Sequence, residues 1–107
     1  MSTEKTNDKN EIPAEMRVKI VGLIRVVFPE AKIYLYGSRA KGTHHDRSDI
    51  DLAIDVGQRV DRMRVNEVRS ILEATSIPYK IDLVDVHSVS ESLRAIILRE
   101  GVLWYSS

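Results

Sequence analysis

The 107-residue chain has no cysteine and no net charge, and it contains no long apolar run. Without cysteine it cannot form disulfides or a thiolate zinc site. Its 16 lysine and arginine residues balance 16 aspartate and glutamate residues, so the basic surplus typical of proteins that bind long nucleic acid is missing. The N-terminal residues resemble neither a signal peptide nor a membrane span. We therefore expect a cytoplasmic protein with no membrane partner and no long nucleic acid partner.

The length suits one domain with a single modest core and leaves no room for a separate substrate domain. Residues 1–11 are polar or charged after Met1, and such a segment buries too little apolar surface to offset the entropy lost on ordering. We predict a flexible N-terminal arm over 1–11 and a single domain over 12–107.

Apolar periodicity divides this domain into alternating helices and strands. Helices are predicted over 13–28, over 39–42, from a cap at Asp61 to about residue 75, and from a capping box formed by Ser88 and Glu91 to Gly101. Strands are predicted over 32–36, 50–56, 79–86 and 102–105, and the strand over 79–86 is apolar enough to be a central one. The expected fold class is α/β (α+β), with a small mixed sheet of about four strands flanked by helices.

Asp49 and Asp51 form a pair of carboxylates at the start of the predicted second strand. Residues two apart in a strand point to the same side, so both carboxylates can bind one ion while Ile50 and Leu52 pack behind them. Ala53 leaves that face uncrowded. Magnesium prefers oxygen ligands and retains positions for water and substrate phosphates. The pair therefore predicts a Mg²⁺ site.

Gly37 and Ser38 follow the first predicted strand directly. A glycine at this point lets the backbone turn sharply and approach a ligand closely. Ser38 lies where the short helix would begin, so its hydroxyl and the following N–H groups could face an anion. Arg39 and Lys41 are further candidate phosphate contacts, because arginine in particular can form paired hydrogen bonds to phosphate.

Asp82 and Asp85 place carboxylates inside the otherwise apolar third predicted strand, where a charge is costly unless a cation or partner meets it. The two are an odd number of residues apart and so point to opposite faces. Only one of them can belong to the same site as Asp49 and Asp51. Strand parity alone leaves open which one.

Gly-Ser, ten residues and Asp-x-Asp together resemble the signature of the nucleotidyltransferase superfamily that includes DNA polymerase β. Three runs resemble, more narrowly, the minimal nucleotidyltransferases known as MntA-type antitoxins, which are paired with HEPN-domain toxins. These runs are Leu-Tyr-Gly-Ser-Arg-Ala-Lys-Gly, Ser-Asp-Ile-Asp-Leu-Ala-Ile and Ile-Asp-Leu-Val-Asp. The resemblance covers residues 33–85 and implies a polymerase β-like nucleotidyltransferase fold.

The resemblance also implies roles for the site residues. It selects Asp82 as the third catalytic carboxylate, which binds a second metal ion and acts on the attacking hydroxyl. It places Gly37 and Ser38 at the β- and γ-phosphates of a nucleoside triphosphate, and Mg²⁺ on Asp49 and Asp51. The expected cofactor is thus a pair of Mg²⁺ ions, and the expected substrate is ATP.

The function implied by the resemblance is transfer of AMP from ATP to a tyrosine of a cognate HEPN toxin, within a hetero-oligomer of the two proteins. One alternative is an antitoxin that neutralises its partner by binding without catalysis. Another is a nucleotidyltransferase acting on a small molecule such as an antibiotic, although such enzymes usually need more chain to hold the acceptor. Replacing Asp49 and Asp51 by asparagine distinguishes the first two functions, because an antitoxin that acts by binding would still protect cells and a catalytic one would not.

Several other polar and aromatic residues have less specific interpretations. His44 and His45 suggest loop polarity rather than a metal site, because no third well-spaced ligand accompanies them. Tyr34 and Tyr36 share one strand face and are expected to be core or site-wall residues. The pair formed by Trp104 and Tyr105 could either pack on the sheet or anchor a partner.

Overall fold

A computed structural model describes residues 12–43 and 48–106. The predicted arm over 1–11 and the His44–His45 loop lie outside the described residues. The elements follow the predicted order, and their ends lie within two residues of the predicted ones. They are α1 (Ala14–Val27), β1 (Lys32–Tyr36), α2 (Ser38–Lys41), β2 (Ile50–Asp55), α3 (Arg62–Ala74), β3 (Ile81–Asp85), α4 (Glu91–Glu100) and β4 (Val102–Tyr105).

The four strands form one mixed sheet in the order β3-β2-β1-β4. β1 is antiparallel to both β2 and β4, whereas β2 and β3 run parallel. The fold class expected from the sequence is therefore confirmed. The adjacency of β2 and β3 brings the strand that follows Asp49 next to the strand that contains Asp82.

The prediction that the third strand is central is wrong, because β3 lies at the edge of the sheet. Its apolar residues are buried by elements packed on the sheet faces rather than by strands on both sides. Leu83 is fully buried in the main core, and Arg69 of α3 donates from Nη2 to the Leu83 carbonyl oxygen at 2.6 Å. A charged side chain on an edge carbonyl also opposes strand addition at that edge.

One face of the sheet carries the main core. Ile20 and Ile24 of α1 and Val68 of α3 are fully buried there against Ile33 and Leu52. Each such aliphatic side chain contributes about 1.5–3 kcal/mol by leaving water. The opposite face has a smaller cluster, composed of Ala53, Val86 and Ile97 with partly buried tyrosines and aliphatic residues around it.

The helix caps agree with the sequence at one helix and differ at another. Asp61 caps α3 as predicted, since its Oδ1 accepts from Met63 N at 2.9 Å. The capping box predicted for the last helix is wrong: Ser90 is its N-cap and accepts from Leu93 N at 3.2 Å. Ser88 instead donates from Oγ to Asp85 Oδ2 at 2.8 Å, because the chain makes an extra turn after β3 before the helix begins.

β4 packs along α1 at the other edge of the sheet. Trp104 is buried in the main core, and Arg17 donates from Nη2 to the Trp104 carbonyl oxygen at 2.9 Å while lying over the indole ring. Of the two interpretations of Trp104, packing on the sheet is the one observed. Among the described helices, none combines the length and the apolar character needed to cross a membrane.

Candidate active site

Three polar side chains form a row near the ends of β1, β2 and β3, on the face opposite the main core. Tyr36 of β1 is in register with Asp51 of β2, and Asp51 is in register with Asp82 of β3. Residues in register on neighbouring strands point to the same face, with Cβ atoms about 4.5–5.5 Å apart. Asp49 immediately precedes β2, close enough for its charge to act on Asp51. The structure thus brings together the three carboxylates predicted from the sequence.

Two groups of this row, Asp51 and Tyr36, have raised pKa values. Partial burial, followed by the charges of Asp82 and then Asp49, raises the pKa of Asp51 above its ordinary value. Burial, followed by the charges of Asp51 and Asp82, raises the pKa of Tyr36 to about 12. Within the described chain, the three aspartate side chains make no hydrogen bond or ion pair. A cation is the partner that such a cluster needs.

Gly37 lies directly against Asp51, and its lack of a side chain makes that contact possible. A Cβ at this position would overlap Asp51 Oδ2 deep inside van der Waals contact. Its φ of 76° is also one that side-chain-bearing residues rarely adopt. The turn after β1 and the carboxylate of β2 therefore form a single surface.

Ser38 lies one position later relative to the helix than predicted, because Gly37 occupies the N-cap and Ser38 is the first residue of α2. The Gly37 carbonyl oxygen accepts from Ala40 N and Lys41 N, each at 3.1 Å. In the described chain, neither the Ser38 N–H nor its hydroxyl hydrogen has an acceptor. Those two groups remain as donors for an anion at the turn.

Arg39 and Lys41 differ sharply in their surroundings. Arg39 is only 7% exposed, and its Nε and Nη2 both donate to the Ser48 carbonyl oxygen, at 3.1 and 3.0 Å. Lys41 is largely exposed, with Nζ 3.8 Å from Glu100 Oε1. An exposed pair at that distance is weak, so Lys41 can reorient. Phosphate contact by either residue stays a prediction.

Asp85 points away from the row, as strand parity predicts. It is buried and accepts from Val60 N at 2.9 Å, His87 N at 3.0 Å and Ser88 Oγ at 2.8 Å. Its charge is met by donors of the surrounding loops. The carboxylate of this strand that joins the row is Asp82.

The carboxylate oxygens of the row suit Mg²⁺ as ligands if substrate oxygens complete the coordination of the ion. Every candidate ligand is a carboxylate oxygen, and the chain has no thiolate to favour a softer metal. Among residues 12–43 and 48–106, no three carboxylate, imidazole or thiol groups are arranged to hold an ion by themselves. Magnesium is usually bound through one or two carboxylates together with substrate phosphates and water. An ion shared between Asp49, Asp51 and a triphosphate fits this arrangement.

Two tyrosines lie in this region, and the sequence predicts only one of them. Tyr36, expected to be a core or site-wall residue, forms one end of the carboxylate row. Tyr79 lies under the Arg39 guanidinium, whose carbon is 5.2 Å from the ring centroid. The sequence gives no signal for Tyr79, because a long-range contact brings it into place.

Residues 24–107 match the family model described as "Polymerase beta, Nucleotidyltransferase". The chain is 36% identical over 88 residues to the protein adenylyltransferase MntA of Shewanella oneidensis, an alignment covering 80% of this chain and 63% of that protein.

Two solved structures are also similar to this chain. A toxin–antitoxin structure with AMP-PNP matches with a TM-score of 0.72 and 32% identity, over 85% of this chain and 73% of the other. A structure of the tri-AMPylated Shewanella oneidensis HEPN toxin in complex with MNT antitoxin matches with a TM-score of 0.67 and 26% identity, over 87% and 71% respectively.

Proposed function

Because the chain belongs to the polymerase β nucleotidyltransferase family, we propose that it is a Mg²⁺-dependent protein adenylyltransferase that modifies a HEPN toxin. The observation that carries this proposal is the convergence of Asp49, Asp51 and Asp82, all without partners in the described chain, beside the Gly37–Ser38 turn. This is the arrangement that a metal-bound triphosphate requires.

The substrate and acceptor follow from similar proteins. A related structure contains AMP-PNP, which has the shape of ATP, and a related protein is named an adenylyltransferase. Another related structure contains an AMPylated HEPN toxin. These likenesses support ATP as the donor and a HEPN toxin as the acceptor. The tyrosine hydroxyl as the accepting group is part of our proposal and comes from the resemblance stated for the sequence.

The reaction replaces the bond between the α- and β-phosphates with a bond from the acceptor oxygen to the α-phosphorus. Gly37 and Ser38 bind the β- and γ-phosphates, and Asp49 and Asp51 would hold a Mg²⁺ ion together with the triphosphate. Asp82 would help hold a second ion, and it accepts the proton of the tyrosine hydroxyl as the hydroxyl oxygen attacks. Pyrophosphate leaves with the electrons of the broken bond. Bound Mg²⁺ would supply neutralisation of the charge that builds up on the phosphate oxygens.

The proposal is tested by incubating the protein with Mg-ATP and the product of the neighbouring reading frame, which the proposal requires to be a HEPN toxin. Mass spectrometry should show the toxin gaining one or more adenylyl groups with matching release of pyrophosphate. The Asp49→Asn/Asp51→Asn variant should lose more than about 100-fold in rate, since both ligands of one ion are removed. Glu67→Gln, which neutralises an exposed carboxylate on α3, is the matched control and should behave as the wild type.

A second candidate, neutralisation of the toxin by contact alone, is favoured by one observation: the related structures are complexes of toxin with antitoxin. The same double variant separates the two functions in cells that express the toxin. A catalytic antitoxin should lose protection with the variant, whereas a contact antitoxin would still protect. Protection that persists without any adenylylated toxin would reject the catalytic proposal.

A further inference from the structure

Arg39 is one of two charged or polar residues that are buried in the described part of the chain, the other being Asp85. A buried guanidinium is costly unless its donors are satisfied. Its contacts therefore indicate what it is for. They lead to the segments that carry the candidate active site.

The first contact is with the segment that leads into β2. The Nε and Nη2 groups of Arg39 converge on one acceptor, the Ser48 carbonyl oxygen, at 3.1 and 3.0 Å. Ser48 directly precedes Asp49. Two donors on one carbonyl fix both the position and the direction of that peptide group.

The second contact is with the segment that leads into β3. The Arg39 guanidinium carbon lies 5.2 Å from the centroid of the Tyr79 ring. The next residue, Lys80, accepts from Ile50 N through its carbonyl oxygen at 2.9 Å, which joins the starts of β2 and β3. Asp82 follows two residues later.

Arg39 itself is the second residue of α2, next to Ser38. One side chain thus connects three segments: the helix after the Gly37 turn, the residue before Asp49, and the loop before Asp82. Each of the three holds or adjoins predicted site residues. The pairing of β1 with β2 ends at Tyr36 and Asp51, so strand pairing does not reach α2 itself.

We propose that Arg39 is a positioning residue that sets the distance between the phosphate-binding turn and the carboxylate row through Ser48 and Tyr79. This role is an alternative to the phosphate contact predicted for Arg39 from the sequence, and the test below distinguishes the two. It rests on the proposed function as far as catalysis is concerned, and it deepens that function by explaining what holds the two halves of the site together.

A lysine cannot fulfil this role. The guanidinium is a flat fork, so it can direct two donors to one carbonyl and present its face to a ring at the same time. An ammonium group keeps the charge but loses both the fork and the stacking. Arg39→Lys therefore separates positioning from simple attraction of phosphate.

The test measures kcat and KM for ATP in toxin adenylylation, together with AMP-PNP affinity by calorimetry. Arg39→Lys should lower kcat about 100-fold, because a shift of about 1 Å in catalytic geometry costs that much, while KM and AMP-PNP affinity change less than about 3-fold. Tyr79→Leu should lower kcat in the same way, and Tyr79→Phe should retain most of it. The Arg39→Ala/Tyr79→Leu double variant should be no slower than Arg39→Ala alone.

Two outcomes would overturn the proposal. If Arg39→Lys keeps its rate while Arg39→Ala raises KM, Arg39 binds phosphate directly. If both kcat and KM return to wild-type values once rates are corrected for the folded fraction, Arg39 only stabilises the fold. Circular dichroism and urea unfolding supply that correction.

Amide exchange distinguishes failure of this proposal from failure of the proposed function. Arg39→Lys should accelerate exchange at the Ile50 amide, which bonds to Lys80, and leave the amides of α1 unchanged. If the wild type transfers no AMP but this local acceleration is seen, the proposed function fails and the positioning contact stands. Unchanged exchange at Ile50 would overturn the positioning role, whatever the enzyme assay shows.

Discussion

Aspartates lie at both ends of the β2–β3 strand pair, but their surroundings are opposite. At the start of the strands, Asp51 and Asp82 lie side by side without partners in the described chain, and the pKa of Asp51 is raised by burial and by its acidic neighbours. At the far end, Asp55 and Asp85 are surrounded by donors. Aspartates without partners mark the candidate site, whereas satisfied ones hold loops in place.

The far end shows what a structural aspartate looks like in this fold. Asp55 Oδ1 accepts from Gly57 N at 2.8 Å and pairs with His87 Nε2 at 2.8 Å. Burial acts to raise the pKa of Asp55, but the hydrogen bond from Gly57 and the pairing with His87 outweigh it and leave the pKa lowered. Asp85 similarly binds the loop between β2 and α3 and the turn after β3.

The difference has a functional meaning because a cluster of carboxylates without donors costs stability. Such a cost persists where a ligand compensates for it. At the start of the strands the compensating group would be the metal with its triphosphate. The following predictions test whether the two ends differ as described.

The largest effect on stability is expected from Asp85→Ala. Removing this buried carboxylate leaves the partly buried N–H groups of Val60 and His87 without their acceptor and should lower the free energy of unfolding by about 3 kcal/mol. Asp82→Ala is the matched variant on the same strand and should change it by less than about 0.5 kcal/mol. Urea unfolding measures both. Equal losses of stability in the two variants would contradict the proposed difference between the two ends of the strand pair.

Gly37→Ala should lower the adenylylation rate about 100-fold. The added methyl group would push Asp51 away from its place, and a displacement of that kind is costly at a reacting centre. Gly42→Ala is the control, because its φ of 77° imposes similar backbone strain with no atom within 4 Å of the new Cβ. Both variants should lose about 1 kcal/mol of stability. A comparable loss of rate in Gly42→Ala would refute the contact with Asp51.

Asp55→Asn should lower the free energy of unfolding by about 1 kcal/mol at pH 7, since charged hydrogen bonds are replaced by neutral ones. The pKa of Asp55 is lowered in the folded state, so its contribution is present above the ordinary pKa of aspartate and lost as the pH falls through the folded value. The difference between variant and wild type should shrink as the pH falls below about 4, the ordinary pKa of aspartate. Urea unfolding at several pH values checks this, and a difference independent of pH would contradict it.

The smallest effect is expected from Asp51→Asn, which should stabilise the metal-free protein by a few tenths of a kcal/mol, or about 2 °C in melting temperature. The pKa of Asp51 is raised on folding, so its charged form lowers the free energy of unfolding at pH 7. This destabilisation disappears as the pH falls below the ordinary pKa of aspartate. Mg²⁺ with AMP-PNP should raise the melting temperature of the wild type but not of the variant. Removal of the metal by EDTA should reverse that rise.

Local pattern was sufficient for most of the fold. The spacing of Ile20, Ile24 and Val27 predicted α1, and Asp61 predicted the start of α3. It failed where long-range contacts intervene. The apolar pattern over 79–86 predicts a central strand, because the sequence does not distinguish burial by α3 from burial between two strands. Ser88 matches the pattern of a helix cap, but its hydrogen bond to Asp85 depends on the turn after β3.

The candidate site divides in the same way. From the sequence alone came Asp49, Asp51 and the Gly37–Ser38 turn, together with the rule that Asp82 and Asp85 face opposite sides, because alternation along a strand is a local property. Only the tertiary structure decided that β3 pairs in parallel with β2, which places Asp82 beside Asp51, and that Arg39 is turned inward to Ser48. Strand partners and buried contacts depend on which segments, distant in sequence, pack together. The local pattern of one sequence does not reveal which segments those are.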